Sequence, residues 1–268
     1  MSEVRNAIVT GGSRGLGLAV ARRLARDGWR TTVAGRDPES LRRAKEEAEA
    51  EQLELRTVQA DVTSEDSVRE LFAKVTATEP LHLCVNNAGR NLSRLLVRAA
   101  RPGSAAAEPD GVLRHSLEDW ENTVRLCLTG VFLAGREAAA AMIRHQVPGA
   151  IVNVSSGLAG GAYGQSAYTA AKAGVEALTR TWSYELGEYG IRVVGVAPGV
   201  MDGQALHDKL ARHPEHARYM ERLKSTIPLG RWAQEDEIAD AVCFAAENRY
   251  LTGSVIRIDG GGPPGWVP

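Results

Sequence analysis

The strongest constraint on the fold is a rhythm. Short apolar, β-branched runs recur along the chain: "NAIVT" at 6–10, "RTTVAG" at 30–35, "LELRTVQA" at 53–60, "LHLCVN" at 81–86, "AIVNVSS" at 150–156, "IRVVGVA" at 191–197 and "SVIRID" at 254–259. Longer stretches of helical period separate them, so neighbouring runs cannot close as hairpins. They predict βα units and a parallel sheet covered on both faces. Helices are expected over 15–27, 38–51, 64–78, 116–144, 166–188 and 234–247. Pro38 suits a first helical position, and "TSED" and "SLED" match capping boxes at Thr63 and Ser116. Two segments break the rhythm. An insertion over about 90–115 is too rich in Pro, Gly and Ala for a packed element, and a polar excursion over about 200–226 suggests a substrate loop or lid. Both follow strands and so belong at the carboxyl edge of the sheet, where open α/β folds bind ligands.

Charge narrows the partners. Lys plus Arg number 32 against 33 Asp plus Glu, with no basic stripe, which argues against a nucleic-acid or anionic-membrane binder and for a small-molecule partner. Cys84, Cys127 and Cys243 are far apart and lack CxxC spacing, as in a reducing compartment. No signal-like segment and no apolar run of membrane-spanning length is recognised, so a cytoplasmic protein is expected. His207, His213 and His216 match no familiar ligand spacing; a solvated helix or lid is expected there, and no metal site.

After the first apolar run comes "TGGSRGLG", from Thr10 to Gly17. Glycines between a strand and a helix let the backbone turn sharply and approach a pyrophosphate, to which the helix N-terminus offers free N–H groups. The spacing differs from G-x-G-x-x-G, and no Lys-Ser/Thr ends the loop as a nucleoside-triphosphate P-loop would require. Farther on, "AYTAAKAG" sets Tyr168 and Lys172 at i and i+4, on one helix face. By itself such a pair is better explained by an ordinary solvated face.

Seven signatures in order resemble the short-chain dehydrogenase/reductase family, classical type, over about Ala7 to Gly262. They are "TGGSRGLG" (10–17), "ADV" (60–62), "NNAG" (86–89), "VSS" (154–156), "YTAAK" (168–172), "APG" (197–199) and "LTGSVIRIDGG" (251–261). The resemblance implies a single Rossmann-fold domain over 1–268, doubly wound, with a seven-stranded parallel sheet and helices on both faces. It implies a catalytic Tyr168 and Lys172 with a serine. Strand register favours Ser156, while the commonest family spacing to the tyrosine would select Ser155. Cofactor contacts are implied for Gly11, Ser13, Arg14, Gly15, Leu16 and Gly17 in the loop, and for Arg36, Asp61 and Val62 beyond it. Further contacts are implied for Asn87, Ala88, Gly89, Tyr168, Lys172, Pro198, Gly199 and Val200. Members usually form tetramers or dimers, so a homo-oligomer is expected, with "GWVP" at 265–268 a candidate for crossing to a neighbour. Among relatives the pattern is similar to 3-oxoacyl-carrier-protein reductases. Where those often present basic residues to an acidic carrier, this chain has Val147 and Tyr189, so carrier docking is not expected.

In the chemistry so implied, a hydride reaches a ketone carbon, Tyr168 gives a proton to the oxygen, and the serine hydroxyl polarises it; the reverse oxidises an alcohol. A free phenol titrates near 10, so Lys172 is expected to favour its ionised form. Two departures stand out. Cys127 occupies the place of a family Asn that helps hold a proton-relaying water, which puts the relay in question. Gly203 stands where relatives often carry a cofactor-touching Thr. The second strand run ends "VAGRD": Gly35 fills the position where NAD specificity wants an acid, and Arg36 and Arg14 favour the 2'-phosphate of NADP(H) over NAD(H), with Asp37 as contrary evidence. The expected function is NADP(H)-dependent reduction of a ketone to a secondary alcohol, or its reverse, in specialised metabolism. A cofactor-binding scaffold or sensor weakened through Cys127 and an NAD-dependent alcohol dehydrogenase are the competing readings.

Overall fold

A computed structural model describes residues 4–100, 110–212 and 214–262. Seven parallel strands form one sheet: β1 (Asn6–Thr10), β2 (Arg30–Gly35), β3 (Leu55–Gln59), β4 (Leu83–Asn86), then β7 (Gly149–Val154), β8 (Ile191–Pro198) and β9 (Val255–Ile258). Their spatial order is β3-β2-β1-β4-β7-β8-β9, so the winding reverses between β1 and β4 and opens a crevice at their carboxyl ends. Alternation along β1 sorts the core: Ala7 and Val9 join one apolar cluster and Ile8 the other. The first is covered by α1 (Gly15–Arg26), α2 (Pro38–Ala50) and α9 (Glu235–Glu247), the second by α3 (Glu65–Val75), α5 (Gly130–Arg144) and α6 (Ser166–Leu186). The seven-stranded, doubly wound expectation holds.

Several local expectations are corrected. The cap of α3 is Ser64, whose hydroxyl accepts from the Ser67 amide; Thr63 instead donates both its amide and its hydroxyl to Asp61. Ser116 does cap α4 (Leu117–Val124), while a reciprocal capping box at Gln234 and Glu237 starts α9, unforeseen because Gln stands at the cap. The ends of the 90–115 insertion are not structureless: β5 (Val97–Ala99) and β6 (Val112–Arg114) pair as an antiparallel hairpin, and 101–109 lie outside the described residues. The 200–226 excursion forms α7 (Gln204–Arg212) and α8 (Pro214–Ser225), and Met220, Ile227 and Trp232 make a small apolar cluster of their own. His207 pairs with Asp202 at 2.9 Å; His213 and the side chain of His216 lie outside the described residues, as do Trp266 and the rest of "GWVP". Among the described residues no His, Cys, Asp or Glu cluster suits a metal.

One helical stretch, Leu117–Arg144, is long and apolar enough to cross a membrane by length and composition, contrary to the expectation that no run would be. Its α5 portion packs against the sheet face made by Ile8, Cys84 and Ile151, and Gly135 lets it come close enough to α6 that a Cβ there would lie 2.5 Å from the Trp182 ring. The stretch is apolar because it lines the core. Midway, Arg125–Thr129 makes a π-helical turn that carries Cys127, and such turns are often found where a helix meets a functional site.

Candidate active site

The glycine turn is held by backbone-directed hydrogen bonds. The Asn87 side-chain amide donates to the carbonyls of Thr10 (3.1 Å) and Gly11 (3.0 Å), while the Thr10 hydroxyl accepts from the amides of Asn87 and Ala88 and donates to Val85. The end of β4 and the start of the turn are thereby tied together. Gly11 and Gly15 have positive φ, +63° and +57°. A Cβ on Gly17 would lie 2.3 Å from the Gly11 carbonyl, and one on Gly11 would lie 2.8 Å from Ala88 Cα. No side chain caps α1 and no acid occupies its first turn, so its leading amides, from Gly15 to Gly17, stay available to an anion. A tight, uncapped helix entry with no acid in its own first turn fits the diphosphate of a dinucleotide.

The residues expected around an adenosine ribose lie at the ends of β2 and β3. Ser13 Oγ is 3.3 Å from a Cβ built on Gly35, and Arg36 approaches the Asp61 carboxylate at 3.9 Å. Asp37 is spoken for: it caps α2, accepting from the amides of Glu39 and Ser40 and from the Ser40 hydroxyl, which with the neighbouring Arg43 holds its carboxyl below the usual range. Asp61 accepts from Thr63 in the turn before α3. Val62 packs under Gly130. Across the crevice Pro198 ends β8, Gly199 passes β9 so closely that a Cβ would lie 2.8 Å from Asp259 Cα, and Val200 packs on the α8 cluster.

Tyr168 enters from the first turn of α6, and Lys172 lies one turn below, with its ammonium 5.7 Å from the phenol ring centroid. Lys172 is 2% exposed and donates to the Val154 carbonyl at 2.6 Å. The two serines are placed differently. The Ser156 hydroxyl stands close enough to the Tyr168 phenol to favour its ionised form and accepts from the Leu158 amide, whereas Ser155 is buried and donates to Glu176 at 2.9 Å. The expectation of an easily ionised phenol is not met in this state. Burial, reinforced by nearby Cys127, pushes Tyr168 up to about 12 against the opposing influence of the Ser156 hydroxyl; burial likewise pushes the Lys172 ammonium down, with Cys127 opposing. Cys127 is fully buried, its thiol pointing to the Arg90 carbonyl at 3.6 Å. Sulfur and ammonium flank Gly89, 3.6 and 3.7 Å from a Cβ built there.

Sequence reasoning missed a buried polar ladder behind the site. Asn86 donates to Asn153 on the adjoining strand, Asn153 to the Thr179 hydroxyl, and Thr179 to the Val175 carbonyl in α6. Its signal was present: Asn86 and Asn153 are the polar members of two otherwise apolar runs, and parallel register sets them side by side.

Comparison with known proteins agrees with this geometry. The family model described as short chain dehydrogenase matches residues 5–214. The 3-oxoacyl-[acyl-carrier-protein] reductase of Thermotoga maritima is 37% identical over 264 residues, covering 97% of this chain and 98% of its own. A probable 2,4-dienoyl-CoA reductase of Bacillus subtilis is 33% identical over 97% of this chain and 96% of its own. Among solved structures, a variant of actinorhodin polyketide ketoreductase with NADPH superposes with a TM-score of 0.83 at 28% identity, over 96% of this chain and 97% of that one. With the tyrosine–lysine helix and the glycine turn converging on one crevice, the chain belongs to the short-chain dehydrogenase/reductase family, as a classical, ketoreductase-like oxidoreductase.

Proposed function

We propose that the chain reduces a ketone to a secondary alcohol, or runs the reverse, using NADP(H), with Tyr168 as the proton donor. The observation that carries this is the meeting of the Tyr168 phenol, the Ser156 hydroxyl and the Lys172 ammonium beside the braced glycine turn. A bound nicotinamide supplies or accepts the hydride. Ser156 donates to the substrate oxygen and orients it; Tyr168, kept neutral by its surroundings, holds the proton that oxygen takes up. Lys172 provides the positive charge that stabilises the phenolate once the proton has left. Gly11, Ser13, Arg14, Gly15, Leu16 and Gly17 hold the diphosphate, with Asn87 fixing the turn and Ala88, Gly89, Pro198, Gly199 and Val200 forming the walls. Val62 and Asp61 flank the adenine end.

The preference for NADP(H) over NAD(H) rests on three features: Gly35 in place of an acid, the guanidiniums of Arg36 and Arg14, and an Asp37 already committed to a helix cap. The ketoreductase solved with NADPH supports it. The substrate is a small ketone, in specialised metabolism inside the cytoplasm. Exposed Phe132 and Ile143 on α5 and Tyr184 on α6 support a homo-oligomer, dimer or tetramer. Cys127 beside Lys172 favours one second reading, a cofactor-binding scaffold with little turnover.

The test is incubation with NADPH or NADH and a panel of ketones, including reactive diketones, while following nicotinamide absorbance. Oxidation of NADPH faster than NADH is expected. Binding with no turnover across the panel would move the assignment to the scaffold, and faster NADH oxidation would reverse the cofactor preference.

A further inference from the structure

Glu235, the first residue of α9, belongs to none of the seven family signatures. Helices α1 and α9 pack side by side, and their N-termini open on the same crevice. A cavity of about 380 Å³ lies there, with Ser13, Arg14, Gly15, Asp202, Gln234 and Glu235 among its walls. The Glu235 carboxylate oxygen is 3.5 Å from a Cβ built on Gly15, the glycine that opens α1, and 2.3 Å from one built on Gly203. It therefore fills the space that any side chain at 203 would enter and stands against the anion-receiving turn. Among the described residues no hydrogen bond or ion pair neutralises it, although it is half-buried.

We propose that Glu235 sets the cofactor affinity of this chain: its carboxylate stands at the edge of the diphosphate cradle, opposes an incoming diphosphate and makes dinucleotide binding weaker and pH-dependent. The inference rests on the dinucleotide reading above. The surrounding charges do not cancel the effect. From α1, Arg14 and Arg22 face the cavity, but Arg22 is paired with Glu51; from α2 comes Glu47; from the β8 loop comes Asp202, engaged by His207 and by the Gln234 amide; on α9 itself Asp236 adds a like charge, while Glu237 is paired with Arg231. Burial, with Asp236, raises the Glu235 carboxyl above its ordinary range. A raised carboxyl takes up its proton as pH falls from neutrality, so the repulsion fades and affinity rises on the acid side.

The experiment is a titration of intact protein with NADP(H) and, separately, NAD(H), read by nicotinamide fluorescence or calorimetry. It compares wild type, Glu235→Gln and, as an equal change of net charge on the exposed face of α4, Glu121→Gln, at pH 7.5 and 5.5. Glu235→Gln should tighten both cofactors about fivefold at pH 7.5, as expected for removing one like charge near a partly solvated anion. Glu121→Gln should leave binding unchanged, and the gap between wild type and Glu235→Gln should narrow at pH 5.5. For NAD(H), which lacks the 2'-phosphate that titrates near pH 6, wild type should also bind more tightly at pH 5.5 than at pH 7.5. Unchanged or weaker binding by Glu235→Gln, or a wild-type NAD(H) affinity flat with pH, overturns the role of Glu235 while leaving the dinucleotide reading intact. Absence of binding by all three proteins overturns the dinucleotide reading itself.

Discussion

The two sides of the crevice are built by different means. On the β1–β4 side the glycine turn is over-determined: Asn87 and Thr10 together tie it with hydrogen bonds aimed at backbone, and Gly11 and Gly17 leave no room for a methyl group. On the far side, α7 and α8 rest on a satellite cluster of Met220, Ile227 and Trp232 with Val200, Leu206, Leu210 and Leu223 around it, separate from the two main cores. Backbone-directed bonds hold one geometry whatever the surface does. A small apolar patch holds a segment in place but tolerates repacking. A dinucleotide site needs the first kind of construction, while a pocket whose substrate differs between relatives can be made by the second.

Substitutions can break or sharpen this contrast. The largest effect should come where the two sides meet: Tyr168→Phe should lower kcat/KM by about a thousandfold with NADPH affinity unchanged, since it removes the transferred proton and little else. A parallel loss of cofactor binding would mean that the phenol shapes the turn side. Next, Gly17→Ala should cost about 3 kcal/mol in denaturant unfolding, because its Cβ would lie 2.3 Å from the Gly11 carbonyl and backbone cannot yield cheaply. Asn87→Ala should cost about 2 kcal/mol and weaken NADPH, as two backbone carbonyls lose their donors. Met220→Ala should cost a similar or smaller amount, about 2 kcal/mol, and raise KM for the ketone while leaving cofactor affinity alone. If it also abolished NADPH binding, the independence of the two sides would be lost. The smallest effect is expected from Cys127→Asn. Cys127 raises the Tyr168 phenol, so without the thiol the phenol should ionise at lower pH, and the alkaline limb of the kcat/KM profile should move down. An unmoved limb would remove Cys127 from the proton path.

Legibility in the sequence followed the range of the interaction. The five inner strands were readable because burial on both faces forces continuous apolar runs, and the edge strands β3 and β9, only partly buried, because they keep β-branched residues at their positions. Tyr168 and Lys172 were readable because a helix fixes i and i+4 on one face and the family signatures around them supplied the role that spacing alone does not. The cap of α3 slipped by one residue, since Thr63 and Ser64 are both competent caps and only Asp61, by capturing Thr63, decides between them. The hairpin β5–β6 was hidden because its three-residue strands carry too little pattern to stand out from the Pro- and Gly-rich stretch around them. The phenol was expected to be readily ionised by its lysine; burial works against that here, and burial is not written in a motif.

The amino-acid order by itself determined the layer architecture, the glycine turn and the tyrosine–lysine pair, because each depends on neighbours within a turn or a strand. Only the tertiary structure decided which serine meets the phenol, that Asp37 is withdrawn into a helix cap, and that Glu235 of the last long helix stands against Gly15 of the first. Those outcomes depend on distances between residues remote in the chain, which are set when the sheet closes and the helices pack on it.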